Sequence, residues 1–248
     1  MSRPDATPSG AATGTERSAP AAAGLTRASL PAHEGEATTL VLARHGRTAD
    51  TERGVFAGRD GADIRLSAAG EADAAGLAAA LERLGTQATP VPGVGAVTAV
   101  VASPMLRTRR TAEVAVERLG LEVTVDDGWA EEAMGDLNGL TFAEAVRRHP
   151  DALTASSGST AAQPPGGESV DELSVRVAAA RARTVAANSA GVVAVVTHGG
   201  PIRVVVREAL DSGAAALWRL RITPCALTVV RYWPDGGIEV VTVNAATG

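Results

Sequence analysis

The sequence predicts an α/β fold: a mostly parallel sheet flanked by helices on both faces, with an antiparallel C-terminal hairpin at one edge. Three observations carry this. Short apolar runs at residues 40–43, 97–102 and 192–197 lack the polar alternation of a half-exposed strand, the pattern of parallel strands covered on both faces. Helix-patterned stretches separate them. Near the C-terminus, "CALTVVRYW" and "IEVVTVN" flank "PDGG", two strand-like runs around a glycine-containing turn.

Taken in order, residues 1–37 are rich in Ala, Ser, Thr, Pro and Gly and show no periodicity. Such a segment buries too little apolar surface to offset its ordering entropy, so a disordered tail is expected before a single domain over 38–248. Pro20, Gly24 and Arg27 interrupt what would be the apolar region of a secretory leader. The first strand follows at 40–43. A helix over 68–84 is capped by Ser67 and carries Leu77, Leu81 and Leu84 at helical spacing. The second strand runs into a helix over 104–119, with Ser103 as N-cap and Pro104 in its first turn. Thr141 with Glu144, and Ser169 with Glu172, have capping-box spacing and start two more helices, the second continuing over 173–187. After the third strand, "GGPIRVVVREAL" begins the last clear helix. Residues 85–95 and 154–167 are Gly-, Pro- or Ser-rich and read as loops.

Composition excludes several classes. Hydrophobic residues at 45% allow a large core, and aromatics at 2% require that it be aliphatic. A net charge of −5 gives no electrostatic basis for nucleic-acid or membrane-surface binding. No 20-residue apolar span exists. The single cysteine, Cys225, cannot form an intramolecular disulfide and fits a reducing, cytoplasmic setting. Nothing in the sequence fixes an oligomeric state.

In open α/β sheets, ligands bind beyond the carboxyl ends of the parallel strands. Here the first strand ends in Arg44–His45–Gly46 and the third in His198–Gly199–Gly200. The second leads through Ser103 to Arg107, one turn into a helix. If the strands are neighbours, two arginines and two histidines meet at one rim, beside helix N-termini that favour anions. That is a site for a compact dianion such as a phosphoryl group.

"LARHGRT", "SPMLRTRRTA", "EEAMGDLNGLT", "PPGGES" and "VVTHGGPIR" resemble, in order, the motifs of the histidine phosphatase superfamily, also called the phosphoglycerate mutase-like family. The resemblance covers nearly all of the chain after the tail. It implies that His45 is a nucleophile that becomes transiently phosphorylated, and that Arg44, Arg107 and His198 hold phosphoryl oxygens. Thr51 and Gly199 join the implied substrate-binding set, although Thr51 stands where the family usually has Asn. Counting back four residues from Gly135 places the implied proton donor at Glu131, with Glu132 its competitor. Ala57 and Leu137–Asn138 are further departures from the family pattern.

These residue types suit the chemistry. Neutral imidazole can attack phosphorus, arginine stays charged and binds phosphate through its planar fork, and a carboxylic acid can protonate the leaving oxygen. The expected activity is hydrolysis of a small phosphomonoester without metal or organic cofactor, closest to the family's small phosphatases. A phosphoglycerate mutase or an inactive phospho-ligand binder is the alternative. A metal site built from His45, His198 and Glu131 is disfavoured by the adjacent arginines. "CALTVVR" has the C-x5-R spacing of cysteine-dependent phosphatases, but its residues predict a strand rather than a phosphate loop. Arg109, Arg110, His33 and His149 read as residues outside the site.

Overall fold

The computed structural model describes residues 32–247, so the tail expected over 1–37 lies outside the described residues as far as residue 31. Six strands, β1 (Thr38–Arg44), β2 (Ala99–Ala102), β3 (Val123–Val125), β4 (Val192–Thr197), β5 (Leu227–Tyr232) and β6 (Ile238–Ala245), form one sheet ordered β3-β2-β4-β1-β5-β6. β3, β2, β4 and β1 are parallel, while β5 runs antiparallel to β1 and β6 to β5. The helices are α1 (Ala49–Arg53), α2 (Ala68–Arg83), α3 (Leu106–Leu119), α4 (Phe142–Arg148), α5 (Pro150–Gly158), α6 (Val170–Ala187), α7 (Gly199–Ala209) and α8 (Ala215–Arg219).

The unalternating apolar runs are explained by burial on both faces. Leu40, Leu42, Val193 and Val195 pack with Leu173 and Val177 of α6 and with Ile202 and Val205 of α7. The intervening Val41, Ala43, Ala194 and Val196 point the other way, against Leu77 and Leu81 of α2 and Ala112 and Ala115 of α3. Trp129, fully buried, completes the first layer and donates its indole N–H to Thr184 Oγ1 at 3.2 Å. Both capping boxes form: Thr141 and Ser169 accept from the amides of Glu144 and Glu172, whose carboxylates return the bond.

The structure corrects several details. α3 starts at Leu106 rather than Pro104, and Ser103 is not its cap. The Ser103 hydroxyl is turned to His198, and a loop carboxylate, Asp63 Oδ1, accepts from the Leu106 amide at 2.9 Å instead. Helix α5 occupies the start of the expected 154–167 loop, with Pro150 in its first turn. β3, α1 and α8 were not foreseen. Among the residues assigned to the tail, His33 lies against Trp233 with ring centroids 4.3 Å apart, and the Glu34 amide donates to Asp235 at the hairpin turn.

Cys225 is buried ahead of β5 and its thiol is pushed up to about 12 by burial, while Arg231 is paired with Glu239 across the hairpin. The "CALTVVR" segment therefore runs into the buried strand β5, the strand its residues predict. No helix among the described residues is long and apolar enough to cross a membrane.

Candidate active site

Strand register assembles the site. Arg44 at the end of β1 pairs with Thr197 at the end of β4, and Ala102 at the end of β2 pairs with Val196. The next residues along these three strands are His45, His198 and Ser103, so they emerge side by side at the carboxyl edge of the sheet. The two imidazoles meet edge to face, with centroids 5.2 Å apart and planes at 61°. Gly46 is required by packing: a Cβ there would run into the Gly70 carbonyl at the start of α2.

Each imidazole is oriented by one hydrogen bond. His45 Nδ1 lies 2.7 Å from the Gly46 carbonyl, which only accepts, so Nδ1 carries the hydrogen and Nε2 the lone pair. His198 Nε2 lies 2.8 Å from Ser103 Oγ, and its Nδ1 has no partner among the described residues. Both rings are buried, and both have pKa values well below 6.5. Burial is the main cause, reinforced by Arg44 and Arg107, so both rings are neutral at neutral pH.

The arginines are placed for an anion. Arg107 is only 1% exposed; its Nη2 donates to the Ala57 carbonyl at 2.9 Å, while Nε and Nη1 have no acceptor among the described residues. Arg44 Nη1 donates to the Ile222 carbonyl at 3.0 Å and Nε is unpaired in the same sense. Burial lowers both guanidinium pKa values, and the negative charge of Glu131 opposes that effect in each. Buried guanidinium groups with unspent donors call for an anionic partner.

Glu131 reaches this cluster from the irregular segment after β3. Its Oε1 accepts from the Gly200 amide, in the first turn of α7, and from the Glu132 amide, both at 3.1 Å. A Cβ at position 200 would collide with that oxygen, which explains the second glycine of "HGGP". Glu132 lines an adjoining cleft with Leu173, Gly200, Arg203, Leu217 and Trp218. Burial, together with the neighbouring Glu131 and Glu168 carboxylates, raises its pKa to about 8. A larger cleft of about 440 Å³ flanks Arg107 through Pro104 and Met105, and Glu131 through Ala130 and Ala133.

Arg44, His45, Arg107, His198 and Glu131 are thus brought together. Gly199 lies between two guanidinium groups; a Cβ there would be 3.3 Å from Arg203 Nη1 and 4.0 Å from Arg44 Nε. Thr51 differs: its hydroxyl is 3.0 Å from Thr48 Oγ1 at the start of α1, and its amide also bonds Thr48. Arg109 and Arg110 are exposed, and His149 caps the junction of α4 and α5. Among the described residues, no three His, Cys, Asp or Glu side chains cluster as metal ligands would. Sequence reasoning overlooked the contact of Ser103 with His198 and the proximity of Arg203 to Arg44. "SPMLR" and "GGPIR" contain these residues, but nothing local signals contacts across the sheet.

The fold is an α/β sheet whose parallel strands end in a rim of arginine and histidine side chains. The chain belongs to the histidine phosphatase superfamily (branch 1), whose family model matches residues 40–246. It is 34% identical over 210 residues to the bifunctional protein Rv2228c of Mycobacterium tuberculosis, covering 85% of this chain and 54% of that one. The chain therefore spans about half the length of that relative. It is 31% identical to the probable phosphoglycerate mutase GpmB of Citrobacter koseri, over 78% of this chain and 84% of that one. The solved structure of mycobacterial glucosyl-3-phosphoglycerate phosphatase Rv2419c superposes with a TM-score of 0.72 at 27% identity, covering 85% of this chain and all of that one.

Proposed function

We propose that the chain is a phosphomonoesterase that hydrolyses a small phosphorylated metabolite through a phosphohistidine at His45. The observation that carries this reading is the bond from His45 Nδ1 to the Gly46 carbonyl, which leaves Nε2 as a neutral nucleophile beside the buried Arg107 and the half-buried Arg44.

In the first step Nε2 attacks phosphorus, the N–P bond forms and the bond to the leaving oxygen breaks. The unspent N–H groups of Arg44 and Arg107 bind the equatorial oxygens. With Ser103 as the donor to His198 Nε2, 2.8 Å away, that ring's hydrogen lies on Nδ1 and is a further donor to phosphate. Glu131 protonates the departing oxygen from Oε2, since Oε1 is anchored by two amides. In the second step the Glu131 carboxylate takes a proton from water, which attacks phosphorus and regenerates His45. Phosphatases and mutases both stand among this chain's relatives and structural neighbours. Release of inorganic phosphate, as opposed to its return to a second hydroxyl, distinguishes the two.

The acid assignment is tested with two ester types. An alkyl phosphate leaves as a strongly basic alkoxide and needs the donated proton; a nitrophenyl phosphate leaves as a stabilised phenolate and needs it little. Glu131→Gln should slow the alkyl ester on the order of a hundredfold or more. The burst phase with the nitrophenyl ester should change far less, and Glu132→Gln should slow neither ester. Equal losses for both esters, or a larger effect at Glu132, would overturn the assignment.

A further inference from the structure

Arg176, on α6, divides its guanidinium between Glu168 and the segment that carries Glu131. Nε and Nη2 chelate the Glu168 carboxylate at 3.1 and 2.8 Å. Nη1 donates to the carbonyls of Gly128 at 3.0 Å and Ala130 at 2.9 Å, and Nη2 donates to that of Glu131 at 3.1 Å. Five N–H groups thus meet five acceptors. Glu168, only 6% exposed, also accepts from the Ala133 amide at 3.2 Å, and its own amide donates to the Ala133 carbonyl at 2.8 Å. Arg59 Nη2 stands 3.5 Å from the same carboxylate.

Residues 130–134 belong to neither helix nor strand, so no ladder fixes their backbone. Three of the carbonyls in 128–131 face one guanidinium instead. The Glu131 side chain extends to the Gly200 amide on α7. Glu131 is therefore gripped by its backbone from α6 and by its carboxylate from α7.

The geometry points to Arg176, fixed by Glu168, as the positioning residue for the proton donor. It sets the backbone from which Glu131 reaches the leaving oxygen above His45. This rests on the proposed role of Glu131. Lysine cannot replace it, because an ammonium has three donors and no planar fork to span a carboxylate and three carbonyls. A displacement of the acid by about 1 Å is enough to cost up to a hundredfold in rate.

The test compares wild type, Arg176→Lys, Glu131→Gln and the double variant on an alkyl phosphate and on the nitrophenyl burst. Arg176→Lys should slow the alkyl ester about tenfold or more and the burst by less than about threefold. The double variant should be no slower on the alkyl ester than Glu131→Gln alone, because both changes act through one proton donor. The Glu132 and Gly200 amides, which donate to Glu131 Oε1, should also exchange faster in Arg176→Lys. Equal losses on both esters, or multiplied losses in the double variant, would show a general structural role and overturn the proposal. Glu168→Gln, which keeps shape and loses charge, gives the same comparison if the lysine variant does not fold. If wild type releases phosphate from neither ester, the phosphatase reading fails and the proposal falls with it; if wild type is active, uniform losses defeat the positioning role alone.

Discussion

Replacing Glu132 with glutamine should make the stability of the protein more acid-sensitive than that of wild type. Wild type holds groups whose titrations oppose one another. His45 and His198 have folded values well below 6.5, so the unfolded chain binds more protons as pH falls. Their contribution is present above pH 6.5 and is lost below it. Glu132 is the reverse, with a folded value raised to about 8 from 4.5. Its contribution is fully present below pH 4.5 and is lost as pH rises through 8.

As pH falls from about 7.5 to 5.5 the two histidines lose part of their contribution. Over the same interval protonation of Glu132 returns about 2.5 kcal/mol. Glu132→Gln should therefore lose about 2.5 kcal/mol more than wild type over this interval. The carboxylates whose values are lowered, such as Asp60, Asp73 and Asp126, titrate below this window. Glu208, which is raised, is common to both proteins and cancels in the comparison. Urea denaturation at the two pH values measures the difference directly. Parallel pH dependence in the two proteins would show that Glu132 is not held protonated by its cleft.

Two further outcomes follow from single contacts. Ser103→Ala should leave His198 Nε2 without its 2.8 Å partner, costing about 1–3 kcal/mol in denaturant unfolding and slowing turnover, and Ser103→Thr should restore part of both. Ser169→Ala removes the capping box of α6 and should cost about 1 kcal/mol in denaturant unfolding without changing the preference between alkyl and aryl esters.

What was legible in the sequence was what depends on local pattern. β1, β2 and β4 were readable because their residues are buried on both faces, and the rim residues because each follows such a strand. Both capping boxes were readable because side chain and amide lie three residues apart. β3 was not, since it has three residues and an outer edge with Thr124 and Val125 exposed. The start of α3 was misread because Ser103 has the chemistry of a cap, and only the tertiary fold offers it His198. The grip of Arg176 on residues 128–131 spans more than 40 positions, and no periodicity encodes it. The choice between Glu131 and Glu132 rested on counting; in the fold Glu131 Oε1 accepts from the Gly200 amide, while Glu132 lines the adjoining cleft with Leu217 and Trp218.

The central claim is that His45 carries the phosphoryl group during turnover. Rapid quenching without acid during hydrolysis of a phosphomonoester, followed by phosphorus NMR and peptide mapping, tests it most directly. An acid-labile, base-stable phosphate on His45, absent from His45→Ala, is the predicted result. Full phosphatase activity in His45→Ala, or label confined to another residue, would contradict it.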